Sequence, residues 1–149
     1  MTIEEEINSG IKVAMKSHDK VSLSALRNVK KMIIEAKTTK GGADKFDDEV
    51  CIKIISKLVK QGEDSANIYK EQNREDLFND EIAQVNVLKE FLPVQLNDEE
   101  LTKFVKKIIE TIGASSIKDM GKVMGVASKQ LAGKADGRSI STKVKDLLK

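Results

Sequence analysis

The sequence has 149 residues, 40% of them hydrophobic and 34% charged, with a formal net charge of +2. A chain of this length makes one ordinary domain or two small ones, and its apolar content excludes a disordered tail. One proline, no tryptophan and 3% aromatic residues exclude a β-sandwich or barrel, and the single cysteine, Cys51, excludes an internal disulfide.

The start reads as a helix. Thr2-Ile-Glu-Glu5 has the spacing of a capping box, followed by an apolar stripe at Ile3, Ile7, Ile11 and Ala14. Asp19 or Ser22 caps a second helix carrying Ala25, Leu26, Val29, Met32, Ile33 and Ala36, which Lys40-Gly-Gly-Ala43 stops. The two are expected to pair as a hairpin. From Asp47 or Asp48 to about Gln72 the pattern Cys51, Ile54, Ile55, Leu58, Gly62, Ala66 and Tyr69 predicts the longest element, about 37 Å at 1.5 Å per residue. A fourth helix is expected after Asn73-Arg-Glu-Asp76, with Leu77, Ile82, Val85, Leu88 and Leu92 inward, and it ends at Pro93.

Pro93 to Leu96 reads as a linker. Beyond it Asn97 caps a fifth helix with Leu101, Phe104, Val105, Ile108, Ile109 and Ile112 inward, terminated by Gly113. Ser115 or Ser116 caps a sixth with a stripe at Ile117, Met120, Met124, Ala127 and Leu131. A turn at Gly133-Lys-Ala-Asp-Gly137 leads to a last helix with Ile140, Val144 and Leu147 or Leu148. The fold class is therefore all-α. About four helices over residues 1–93 make an N-terminal domain, and three over 97–149 make a C-terminal module.

Charge separates the two parts. Residues 1–96 hold 15 Lys+Arg against 17 Asp+Glu, whereas residues 97–149 hold 11 against 7. The C-terminal module is the basic one.

Catalytic signatures are scarce. GxxxxGK[ST], GxGxxG and CxxC are all missing, which removes the usual sequence supports for nucleotide and zinc chemistry. A Cys51–His18 nucleophile pair is disfavoured because Cys51 falls on an apolar helix face and His18 in a turn. The carboxylates Glu63-Asp64, Glu75-Asp76 and Asp98-Glu-Glu100 fit solvated helix faces and first turns. No metal and no cofactor is expected. A membrane span needs about 20 apolar residues, and no run approaches that. The acidic Met1-Thr-Ile-Glu-Glu-Glu6 is unlike a signal or transit peptide. With one unpaired cysteine, the cytoplasm is the expected compartment.

What remains is a binding surface. Gly121 and Gly125, one turn apart on the sixth helix, each cost roughly 0.5–1 kcal/mol against alanine, so they need a reason. Close packing inside the module is the first expectation, and a ligand whose backbone comes close is the second. Lys122 lies between them. With Lys118, Lys129, Lys134 and Arg138 it predicts a cationic surface suited to phosphate. There are no aromatics around these cations to stack on bases, so any nucleic-acid contact is expected to be to backbone and shape. Lys53, Lys57 and Lys60 form a second basic line on the third helix and read as a solvated face.

These segments carry a resemblance. Leu26-Arg-Asn-Val-Lys30, Lys60-Gln-Gly-Glu-Asp-Ser65, Val87-Leu-Lys-Glu-Phe-Leu-Pro-Val-Gln-Leu96, Asp119-Met-Gly-Lys-Val-Met-Gly125 and Gly133-Lys-Ala-Asp-Gly137 together resemble the YqeY family over essentially the whole chain. That resemblance implies an all-α protein whose C-terminal domain is similar to the tail of GatB, a subunit of the tRNA-dependent amidotransferase. In that enzyme the tail helps bind tRNA and the chemistry sits in a separate catalytic domain. Lys118, Gly121, Lys122, Gly125, Lys134, Asp136 and Gly137 match the family's C-terminal pattern, whereas Gly62 and Val94 depart from the family's usual residues.

The expectation is thus a tRNA-binding or tRNA-linked accessory protein without its own catalytic centre, with tRNA or an amidotransferase or other translation-related protein as partner. By resemblance alone it is also linked to carbon–nitrogen ligation with glutamine as amido-N-donor. A protein–protein adaptor, receiving a helix on Gly121, Gly125, Met120 and Met124, is the third reading.

Overall fold

A computed structural model describes all 149 residues, and its regular elements are all helices. Seven α-helices follow one another: α1 Ile3–Lys16, α2 Lys20–Thr38, α3 Asp48–Glu71, α4 Glu75–Lys89, α5 Asp98–Ile112, α6 Met120–Gln130 and α7 Gly137–Leu148. A single 3-10 turn, Ile117–Asp119, precedes α6. Contacts divide the chain into two compact units, Met1–Leu92 and Pro93–Lys149.

Helix starts are written locally. The Thr2 hydroxyl accepts from the Glu5 amide at 3.2 Å while the Glu5 carboxylate accepts from the Thr2 amide at 2.8 Å, a complete capping box. Asp19, Asp47, Asn97 and Asp136 each accept from the amide three residues on, at 3.1, 3.0, 2.8 and 2.6 Å. Each side chain satisfies one of the amides that a helix start leaves unpaired. The serines expected to cap the sixth helix do not do so. Ser116 makes no side-chain cap, and the Asp119 carboxylate instead accepts from the Ser115 amide at 3.1 Å.

In the first unit, α1 packs against α2 and α3 against α4, and α2 joins the two pairs. Ile7, Leu26, Val29, Ile33, Cys51, Ile55, Val59, Val85 and Leu88 make a shared core. Periodicity finds all of these except Val59. One contact is exceptionally tight: a Cβ on Gly62 would meet Val85 Cγ2 at 2.5 Å, so only glycine lets α4 approach α3 there. The expected fourth helix stops at Lys89 rather than Pro93. Its end is closed by tighter turns, Phe91 and Leu92 donating to the Leu88 and Lys89 carbonyls.

In the second unit, α5, α6 and α7 bury Leu101, Val105, Ile108, Val123, Ala127, Leu131, Ile140, Val144 and Leu148. Here two expectations shift. Phe104 is 40% exposed and Ile117 49% exposed, although the periodic pattern turns both inward. Val123 is fully buried and lies outside the expected stripe. The 3-10 turn advances the chain differently from an α-helix, so Ile117 falls out of the stripe that Met120, Met124, Ala127 and Leu131 keep, and Val123 joins them.

The Pro93–Leu96 stretch is not a free linker. Leu96 donates its amide to the Lys134 carbonyl at 2.9 Å, and the Gln95 carboxamide donates to the carbonyls of Gly133 and Pro93. Gly133 has φ 76°, a left-handed conformation that favours glycine and turns the chain into this clasp.

Candidate nucleic-acid interface

In the second unit the five expected cations divide between α6 with the turn before it and a groove beside α7. Lys122 and Lys129 lie seven positions apart on α6, which at 3.6 residues per turn places them in one row, and Lys118 lies on the 3-10 turn that leads into this helix. All three are exposed. None of them takes part in an ion pair, so their charge is offered to solvent.

Gly121 and Gly125 occupy the row beside these lysines. Both are exposed, and a Cβ added at either position would have no atom within 4 Å. Close packing inside the module, the first expectation for this pair, is therefore wrong. The helix buries its opposite side through Val123, Ala127 and Leu131, and the glycines look away from it. Met120 and Met124 are half-buried and pack against that core.

Lys134 and Arg138 belong elsewhere. They line a groove of about 520 Å³ between the Gln95–Asp98 segment and α7. Lys143 stands with them, and Asp98, Asp136 and Asp146 balance the three positive charges. Lys143 is already bound to Asp98 at 2.7 Å. A groove with equal numbers of opposite charges lacks the one-signed field that attracts polyanions.

Asp136 and Gly137 have a local structural task. Asp136 caps α7 through the Ser139 amide at 2.6 Å, and Gly137 is the first residue of that helix.

Comparison with known proteins bears on the chain as a whole. Residues 4–148 match the family model described as Yqey-like protein. The chain belongs to the YqeY-like family. Relatives of this YqeY-like chain include a protein of Pyrenophora tritici-repentis named Altered inheritance of mitochondria protein 41, mitochondrial, 27% identical over 146 residues. That overlap takes in 95% of this chain and 78% of the relative. The protein of the same name from Vanderwaltozyma polyspora is 31% identical over 124 residues, covering 76% of this chain but only 64% of the relative. No helix of the YqeY-like chain is long and apolar enough to cross a membrane.

The first unit holds the one buried nucleophile. Cys51 is 0% exposed. Burial, with Asp48 and Glu4 adding negative potential, pushes its thiol up to about 11. At neutral pH such a thiol stays protonated and is a poor nucleophile. His18 sits in the α1–α2 turn at φ 57°.

Proposed function

We propose that the protein binds RNA, with tRNA the first candidate, and that α6 carries the contact to the phosphate backbone. The observation behind this reading is the open pair Gly121 and Gly125 beside Lys118, Lys122 and Lys129. Two exposed glycines inside an 11-residue helix cost stability and fill no packing need. A flat strip of helix backbone flanked by a lysine row lets a sugar-phosphate chain come close and then neutralises it. Phosphate contacts of this kind position a ligand and carry little sequence information. That agrees with a second unit whose one aromatic side chain is Phe104 on α5.

Membership of the YqeY-like family supports the choice of tRNA, through the likeness of this family's C-terminal part to the GatB tail. The relatives' names carry the word mitochondrial, while the sequence suggests the cytoplasm. Both compartments contain tRNA, so the reading does not turn on that difference.

Fluorescence anisotropy with labelled tRNA tests it. Affinity should fall steeply with salt. Lys118→Glu, Lys122→Glu and Lys129→Glu combined should abolish specific binding and flatten the salt slope by about 0.9 for each duplex phosphate that is no longer neutralised. Gly121→Leu with Gly125→Leu should weaken binding at unchanged net charge. Lys134→Glu with Arg138→Glu changes the charge strongly at the groove and should have the smaller effect. Undiminished affinity in the α6 triple variant would exclude this surface.

A further inference from the structure

Two of the segments that mark the family lie in the first unit and are not used by RNA binding at α6: Leu26-Arg-Asn-Val-Lys30 on α2 and Lys60-Gln-Gly-Glu-Asp-Ser65 on α3. The fold brings them to one place. Asn28 from the first segment and Gln61 and Ser65 from the second line a cavity of about 150 Å³, which α4 completes with Glu81 and Gln84.

The cavity has an unusual lining. Three carboxamides, a hydroxyl and a carboxylate converge from three helices beside the apolar Ala25, Leu58, Val85 and Leu88, with Asn28 and Gln61 exposed to solvent and the other three half-buried. No hydrogen bond within the protein occupies these side chains, although hydrogen-bonded side chains are found along the rest of the chain. The neighbouring Glu63 is paired with Lys89 at 2.9 Å, whereas Glu81 has no counter-ion. Glu81 Oε2 lies 3.5 Å from where a Cβ on residue 62 would stand, so the close α3–α4 approach over Gly62, which Val85 fills, also brings the carboxylate up to α3.

Charge and size then select the ligand. The only ionised lining group is negative, so a favoured guest is a cation. A volume of about 150 Å³ gives room for a head group of a few heavy atoms. A guanidinium offers five N–H donors in a flat fork and no acceptor. Glu81 can take two of those donors, and the carboxamide oxygens of Asn28, Gln61 and Gln84 can take the rest.

We infer that this cavity is a binding site for a guanidinium head group. Its bearer is either a free small guanidine or an arginine side chain of another protein, and the recognition chemistry is the same for both. The site is independent of the RNA reading, since it lies in the other unit and selects for the opposite charge.

Proton–nitrogen correlation spectra of the full chain test it by titration with agmatine, with acetyl-Gly-Arg-Gly-amide, and with the citrulline analogue of that peptide. The expected result is saturable shifts of the Asn28, Gln61 and Gln84 side-chain amides with both guanidines and none with citrulline, whose urea group has the same shape without the charge. Glu81→Gln should lower the affinity by at least roughly tenfold, because it takes the charge out of both hydrogen bonds that the carboxylate accepts. This variant removes no contact within the protein, so its melting temperature should be unchanged. Tighter binding of agmatine assigns the site to a free small molecule, and tighter binding of the peptide assigns it to a partner's arginine. Equal shifts with citrulline, unaltered affinity in Glu81→Gln, or no shift with either guanidine would overturn the proposal.

Discussion

Val85 packs over Gly62 so closely that a methyl group on residue 62 would meet Val85 Cγ2 at 2.5 Å, whereas the same methyl on Gly121 or Gly125 would touch nothing. Three glycines inside helices therefore respond to alanine with opposite signs. Gly62→Ala gains helix propensity but forces apart the α3–α4 contact, and overpacking of this kind costs about 1–3 kcal/mol. Gly121→Ala and Gly125→Ala collect the propensity gain with no clash, roughly 0.5–1 kcal/mol each. Thermal melting should show the first variant less stable and the other two more stable than the parent. Val85→Ala combined with Gly62→Ala should recover part of the loss, because it removes the atom in the way.

The Glu4–Lys37 pair makes the stability of the first unit depend on acid. Lys37 Nζ lies 2.8 and 2.6 Å from the two carboxylate oxygens of Glu4, tying α1 to α2, and Lys30 stands 3.6 Å away. These cations hold the Glu4 carboxyl below its ordinary value of 4.5, with the Lys37 hydrogen bond the largest cause. A lowered folded value means the pair stabilises fully above about pH 4.5 and loses its contribution as pH falls through the folded value. Glu4→Gln should therefore reduce stability at pH 7 by up to about 1 kcal/mol, and the difference from the parent should vanish in strong acid. Denaturant melts at the two pH values measure this.

Cys51 makes a direct probe of core opening. It is the only cysteine, it is fully buried, and its thiol is raised to about 11. Labelling by a thiol-specific chromogenic reagent at pH 8 should be slow in the native protein and fast after addition of denaturant. Raising the pH toward 10 should accelerate native labelling only modestly, since access as well as ionisation limits it. Rapid native labelling would show that the core opens easily.

Much of this architecture is legible in the sequence because its signals are local. A capping residue lies three positions from the amide it satisfies, so Thr2, Asp19, Asp47 and Asn97 are readable from spacing alone. The helical stripes of the first unit follow the same logic. The failures have two sources, local turns that leave no mark in the composition and contacts between distant residues. Ile117 reads as inward because the 3-10 turn at Ile117–Asp119 breaks the period without changing composition. The clasp of Gln95 and Leu96 on Gly133 and Lys134 joins residues as much as 38 positions apart and leaves no periodic trace. The division of the lysines into an α6 row and a balanced groove depends on which carboxylates fold back beside Lys134 and Arg138. The sequence shows the charges but not their neighbours. The pair Gly121 and Gly125 stands out in the sequence yet suggests the wrong cause, since spacing places two glycines on one face without saying whether that face is covered.

Asp136 separates a structural role from a binding one within the Gly133–Gly137 segment. Its carboxylate accepts from the Ser139 amide at 2.6 Å and lines the groove with Lys134 and Arg138. If its main task is to cap α7, Asp136→Ala should cost about 1 kcal/mol, and Asp136→Ser, which keeps a capping oxygen, should restore most of it. α7 supplies Ile140, Val144 and Leu148 to the core, so the loss should appear as a lower melting temperature of the second unit, by about 4–8 °C per kcal/mol in a domain of this order of size. Binding measured well below that temperature separates the roles. A cap acts only on stability, so tRNA affinity should be unchanged or slightly higher in both variants, since each removes one negative charge. A large fall in affinity that Asp136→Ser does not restore would place the carboxylate in the interface and return Lys134 and Arg138 to it.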